Sequence, residues 1–204
     1  RNTLVLRTLL DEVVSFGIHE QLDRRIDRYL DAANPDEFFQ RVLLRAEEDY
    51  GAQLVRDTLA LIALSRAGLS EPELLGISGI RQLEWSQFYC AFAGHFTVKN
   101  GLSHRYLRNA VRSKYLSREA DIRACRERII AYMTDDNPLG HSEQGRIYDE
   151  LAHQYHEAGM TGEMYALLTD YDAFNYYNAK NQEMLGRYWR TLLETGRYSP
   201  EAYL

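Results

Sequence analysis

The side chain best placed to do chemistry in this sequence is His104, in the stretch VKNGLSHRYLRNAV at residues 98–111. Ser103 reads as a helix N-cap, which puts His104 in the first turn. There, unpaired backbone N–H groups and the positive end of the helix dipole favour an anion, and a ring N–H adds one more donor. Arg105 follows with a guanidinium. The chemistry such a trio suits is the holding of a phosphate. Two plainer readings stand beside it: His104 caps the preceding turn and hydrogen-bonds to a neighbouring loop, and Arg105 is solvated at an exposed helix start.

The other candidates are weaker. His153 and His156 lie at i and i+3 in LAHQYHEAG with Glu157 alongside, two possible legs of a metal site. HxxHE is not HExxH, and no third ligand is evident, so a solvated helix face is the better reading. His19 and His141 read as surface or loop residues, and His95 as a C-terminal cap of the helix before it. No glycine-rich loop ending in Lys-Ser/Thr and no acidic magnesium-binding strand motif occurs, so the sequence implies no nucleotide hydrolysis by this chain alone.

Composition narrows the classes further. The chain has 204 residues, of which 45% are hydrophobic, enough for one substantial core or a few small ones. Its net charge is −6, and only Lys99, Lys114 and Lys180 are lysines among 24 cationic residues. A general affinity for nucleic acid is therefore not indicated. Cys90 and Cys125 are far apart and form no CxxC pair, which suggests buried thiols in a reducing, cytoplasmic setting. No membrane helix or signal pattern is expected. Because the first residue is not Met, the chain reads as part of a longer protein.

Apolar residues recur at spacings of 3 and 4 almost throughout, so the elements that position these side chains are expected to be helices. Leu6, Leu9, Leu10, Val13 and Val14 form one stripe, and Ile18, Leu22, Ile26 and Leu30 the next. Asn34-Pro35 starts a helix that Gly51 closes, 54–67 forms another ended by Gly68, and Ser70 caps a short one in SEPELLG. Trp85, Phe88, Phe92 and Phe96 share a bulky face. Asn100-Gly101, flanked by Phe96 and Val98, signals a two-residue β-hairpin. Three helices and one hairpin give the order of a winged helix. Beyond Leu116 come further helices, around Ile122 to Met133, Ile147 to Tyr155, Met164 to Leu168, and Leu185 to Leu192. DDNPLGHSEQG reads as a loop or local boundary. HEAGMTGEMYAL aligns with LETGRYSPEAYL, setting Gly159 and Gly196 37 residues apart and pointing to stacked helical hairpins of the tetratricopeptide (TPR) sort. The fifteen tyrosines either line a groove there or pack its core.

Two motifs carry a family resemblance. RNTLVLRTLLDEVVSFG resembles the segment that follows the P-loop core in STAND signalling NTPases, especially the NACHT class, and LSHRYLRNAVRSKYL resembles their winged-helix motif F-S-H-x-x-L-R-x-A-V. The resemblance implies a non-catalytic regulatory fragment of a cytoplasmic signalling or defence ATPase. Its parts would be a helical domain (1–50), a winged helix (51–116) and TPR-like helices (117–204). It implies ADP or ATP with magnesium in the full-length protein and none in the fragment, a P-loop core upstream in cis, a protein partner on the repeats, and oligomerisation on activation. His104, with Ser103 and Arg105, would contact the β-phosphate of ADP in the resting state. Thr3 stands where the family usually has an adenine-side proline, Leu102 where an aromatic is common, and Arg105 where an acidic residue often sits. The alternatives are a winged helix reading DNA through RQLEWSQFYCAFAGH, and a helical protein-interaction scaffold.

Overall fold

The computed structural model describes residues 3–14, 22–97, 101–135 and 144–195. The expectations for Ile18, His19, Val98, Asn100, His141 and Gly196 lie outside these. The protein is mainly helical and divides into two compact units, Arg1–Arg128 and Ile129–Leu204.

In the first unit, α1 (Thr3–Val14) packs on α2 (Leu22–Leu30), and α2 on α3 (Pro35–Tyr50). The start of α3 is set locally. Asn34 Oδ1 accepts from the Glu37 N–H at 2.9 Å, and Glu37 Oε2 accepts from the Ala33 N–H at 2.8 Å. Pro35 supplies the first-turn dihedral, and Gly51 closes the C-terminus with φ 90°. Next come α4 (Ala52–Leu64), α5 (Glu71–Ser78), α6 (Gln82–Phe92), α7 (Arg105–Tyr115) and α8 (Glu119–Thr134), whose residues from Ile129 onward belong to the second unit. A full capping box opens α5: the Glu73 N–H donates to Ser70 Oγ and the Ser70 N–H to Glu73 Oε2.

The stripe on α1 is helical but not all inward. Leu6 and Leu10 are exposed while Thr8 is buried, so the buried face of α1 is rotated from the most apolar one. Helix α4 ends at Leu64 rather than Ala67, because the Ser65 N–H still bonds back to Leu61 while Ser65 itself turns to extended backbone (ψ 151°).

The core of this unit lies where α3, α4 and α7 meet. Phe38, Phe39, Val42 and Leu43 of α3 are buried with Leu59, Leu61 and Leu64 of α4 and Leu107 and Val111 of α7. A side chain of this size contributes about 1.5–3 kcal/mol when fully buried. Polar contacts then fix the register. Glu47 accepts from Lys114 Nζ at 2.7 Å and from the Tyr115 hydroxyl at 2.7 Å, and Gln40 donates to the Ala110 carbonyl at 3.2 Å. Trp85, Phe88 and Phe92 form the buried face of α6. Phe96 lies past the end of that helix, its ring stacked on Tyr89 at 5.7 Å.

The expected wing differs from the structure. Among the described residues no two-stranded hairpin forms; Phe96 and Leu102 make one isolated antiparallel bridge. It is flanked by bonds from the Thr97 N–H to the Gly101 carbonyl (2.7 Å) and from the Ser103 N–H to the His95 carbonyl (2.9 Å). A 3-10 turn at Ala93–His95 and the start of α7 at Arg105 bound the segment, and the pairing within it is limited to that bridge among the described residues.

The second unit contains α9 (Gln144–Ala158), α10 (Thr161–Thr169), α11 (Tyr171–Lys180) and α12 (Gln182–Glu194), each packed on the next. Gly159, with φ 66°, turns the chain between α9 and α10. Asp170 and Asn181 accept backbone N–H groups at the starts of α11 and α12. The tyrosines are largely packing: Tyr148, Tyr155, Tyr177 and Tyr188 are buried.

Burial, and then the hydrogen bond to Glu47, push the Tyr115 hydroxyl pKa well above its usual value of 10. Above about pH 10 the unfolded chain loses this proton while the folded chain keeps it, so stability must fall as pH rises, by about 1.4 kcal/mol per pH unit for the group. Urea unfolding between about pH 9 and pH 11 should show a shallower decline for Tyr115→Phe than for the parent chain.

Candidate functional site

The junction between α6 and α7 gathers around one ring. Phe39, fully buried on α3, has the rings of His95 and His104 each 6.3 Å from its own, and Tyr106 stacked on it at 6.4 Å. His95 is buried, its ring 4.3 Å from that of Phe92, so it is a core residue beyond its proposed role as a cap. Its carbonyl accepts two bonds from Ser103, one from the N–H and one from the hydroxyl, both at 2.9 Å.

That double bond corrects the expected cap. Ser103 spends its hydroxyl on His95, and His104 itself is the N-cap of α7, in extended backbone (φ −125°, ψ 137°) with no side-chain bond to the first turn. The ring is half-buried. Arg105 is exposed at the first helical position, its guanidinium donating to the Tyr106 hydroxyl at 3.3 Å and lying 5.0 Å from that ring. Ser103, His104 and Arg105 thus form one short surface at the start of α7. Thr3 is exposed at the start of α1, a helix that packs on α2, so it is positioned by a different pair of elements.

The second unit offers a different arrangement, a helical array with polar groups threaded through it. Glu150 is wholly buried on α9, accepting from Arg146 at 2.6 Å and from Gln154 at 2.7 Å. Tyr177 donates to the Tyr148 carbonyl at 2.9 Å, and Tyr176 to Asp149 at 3.0 Å, each bond joining α11 to α9. A Cβ at Gly145 would collide with the Tyr176 ring, so α9 and α11 approach closely there. His156 Nε2 lies 3.4 Å from Thr191 Oγ1, its Nδ1 lies 3.5 Å from Glu157, and its ring packs 5.5 Å from that of Tyr188. No group of three metal-capable side chains occurs among the described residues, so the His153/His156 pair gains no third ligand there. Among the described residues of this unit, Tyr171 and Leu193 are the exposed large apolar side chains.

Sequence reading missed Glu150 as a core residue, although Arg146, Glu150 and Gln154 sit at i, i+4 and i+8, a spacing that lines up three polar groups. It also missed the cationic side chains Arg108 and Arg112 beyond Arg105, and it placed Cys90 inside, whereas that residue is exposed. Cys125 is half-buried, and burial raises its thiol pKa, which makes it a weak nucleophile. Among the described residues no helix is long and apolar enough to cross a membrane.

Comparison with known proteins agrees with the helical architecture. The chain is 29% identical over 125 residues to a TPR repeat-containing protein of Dictyostelium discoideum, covering 57% of this chain and 8% of that protein. It is 26% identical over 251 aligned positions to tetratricopeptide repeat protein 41 of Rattus norvegicus, covering all of this chain and 19% of the rat protein. The chain therefore spans less than a fifth of either relative. No protein-family profile matches, and neither does any solved structure. Together with the helical structure, these likenesses support a helical repeat architecture; the resemblance to STAND proteins has no counterpart in the relatives' names.

Two substitutions probe the second unit. Glu150→Ala should cost about 3–5 kcal/mol, because it removes a buried carboxylate that accepts from both Arg146 and Gln154. Gly145→Ala should cost about 1–2 kcal/mol despite better helix propensity, because the methyl must displace the Tyr176 ring. Chemical denaturation of each variant against the parent chain measures both.

Proposed function

We propose that this chain is a non-catalytic helical scaffold within a longer protein, and that the array α9–α12 binds a protein partner. The observation that carries the reading is the sequential packing of those helices, each on its neighbour, in a chain whose relatives are named for tetratricopeptide repeats. Stacked helix pairs of this kind present an extended surface rather than a pocket. Exposed apolar residues on such a surface are the natural anchors for a partner, and among the described residues of the array Tyr171 and Leu193 are such residues. A cytoplasmic setting suits this reading.

A second reading keeps the nucleotide-controlled clamp. Here α4, α5 and α6 are the helices of a winged helix whose wing is reduced to the Phe96–Leu102 bridge. His104, assisted by Ser103 and Arg105, tethers the β-phosphate of ADP held by a P-loop core in the full-length protein, with ATP and magnesium releasing the tether. Its support is the position of His104, half-exposed over the start of α7 where backbone N–H groups gather. Thr3 in place of proline leaves the adenine side of such a site with a hydroxyl instead of a ring.

The two readings separate experimentally in the full-length protein. Replacing Tyr171 and Leu193 with Ser should weaken partner capture about tenfold, the effect of losing one or two interface anchors, with thermal stability unchanged. Partner capture that survives removal of α9–α12 overturns the scaffold reading. For the clamp, His104→Ala should speed ADP release and raise basal oligomerisation, and ADP release at the parent rate defeats it.

A further inference from the structure

Helix α7 reverses the charge of the chain around it. The protein carries a net charge of −6, yet the eleven residues RYLRNAVRSKY include four cations and no acid. Lys114 is already committed to Glu47. The other three, Arg105, Arg108 and Arg112, are exposed together with Asn109, while Leu107, Ala110 and Val111 are buried. They fall at i, i+3 and i+7 on one outward face, spread over roughly 10 Å of helix axis.

These guanidinium groups are placed without being neutralised. Arg105 donates to the Tyr106 hydroxyl at 3.3 Å and Arg108 to the Leu102 carbonyl at 3.2 Å, both uncharged acceptors. None of the ion pairs formed among the described residues involves Arg105, Arg108 or Arg112, whereas nearby cations elsewhere are paired, Arg118 with Asp121 and Arg28 with Glu48 among them. The Asp36 carboxylate also acts on Arg105, more weakly than Tyr106 does.

We propose that this face of α7 is a docking surface for an acidic helical segment of a partner protein. Arginine forks match carboxylates in bidentate geometry, and a partner helix bearing Glu or Asp at i, i+3 and i+7 repeats the same spacing. A nucleic-acid partner fits less well. The whole chain is acidic and the patch is only three arginines long, so a long polyanion outruns it and meets a protein of net negative charge beyond it. The surface lies in the first unit and is independent of the α9–α12 reading.

The test uses this chain and a pair of helical peptides of about 20 residues, identical except that one carries Glu and the other Gln at i, i+3 and i+7. Fluorescence anisotropy at about 0.15 M salt should show the Glu peptide binding at least tenfold more tightly than the Gln peptide. The triple variant Arg105→Gln, Arg108→Gln, Arg112→Gln should remove that difference while the thermal midpoint stays put. Arg112→Glu alone should weaken the Glu peptide and strengthen a Lys version, a swap that a merely structural role would not produce. If the triple variant fails to fold, the single one decides. Equal binding of the Glu and Gln peptides overturns the proposal, as does tighter binding of duplex DNA, or a dimer of this chain that the arginine changes dissolve.

Discussion

The first unit depends on one carboxylate. Glu47 on α3 accepts simultaneously from Lys114 and Tyr115 on α7, and Gln40 one and a half to two turns earlier reaches the Ala110 carbonyl. These bonds join positions nearly seventy residues apart in sequence. An apolar interface between two helices tolerates sliding by a turn at modest cost, but a carboxylate with two donors does not, since a slip would leave charged and hydroxyl groups buried without partners. With α7 thus fixed, its first residues fall over Phe39, and everything chemical about the molecule's surface there follows: the half-buried ring of His104, the guanidinium of Arg105 against Tyr106, and the outward arginine row.

The second unit solves the same problem with different groups. Its buried carboxylate, Glu150, is satisfied by Arg146 and Gln154 from its own helix. Those two contacts, four residues either side, lie within α9 and do not themselves say which helix lies across from it. That choice falls to tyrosine. The hydroxyls of Tyr176 and Tyr177 reach α9 from α11, and the missing side chain at Gly145 admits the Tyr176 ring. An aromatic ring supplies buried area, while its hydroxyl demands one acceptor at one place, so the packing is specific without a large aliphatic core.

Features written in short stretches were legible in the sequence. Asn34-Pro35 and the Ser70/Glu73 box start helices because their bonds close within three residues, and the residues that make them are adjacent in the chain. The mainly helical class was equally plain from spacing. What failed depended on distant partners. Periodicity finds an apolar stripe on α1 but not which side faces inward, and Leu6 and Leu10 lie outside while Thr8 is buried. Asn100-Gly101 signals a hairpin in the sequence, yet a turn signal does not say how many residues pair around it, and among the described residues one bridge forms. Helix α11 escaped notice because YDAFNYYNAK has almost no aliphatic residues; it forms on an Asp170 cap and a buried Tyr177. The candidate surface at the start of α7 was half legible: His104, Ser103 and Arg105 were singled out in the sequence, but the row continuing through Arg108 and Arg112 needed the helix to be seen with Lys114 committed to Glu47.

The start of α7 breaks a local rule, and the break is informative. Stability alone favours Ser, Thr, Asp or Asn at an N-cap, where a side-chain oxygen accepts from the first turn. Here a serine stands one residue too early, its hydroxyl turned back to the His95 carbonyl, and a histidine that makes no such cap bond occupies the position. The serine adds a second hydrogen bond to the His95 carbonyl beside the isolated bridge, holding the start of α7 against the 3-10 turn. The consequence is that the cap residue's side chain accepts nothing from the first turn of α7, which opens on a half-buried imidazole beside a guanidinium held by a neutral hydroxyl. The positive end of the helix dipole and the four cations of α7 add in the same sense, so this end of the helix carries positive potential in a chain of net charge −6.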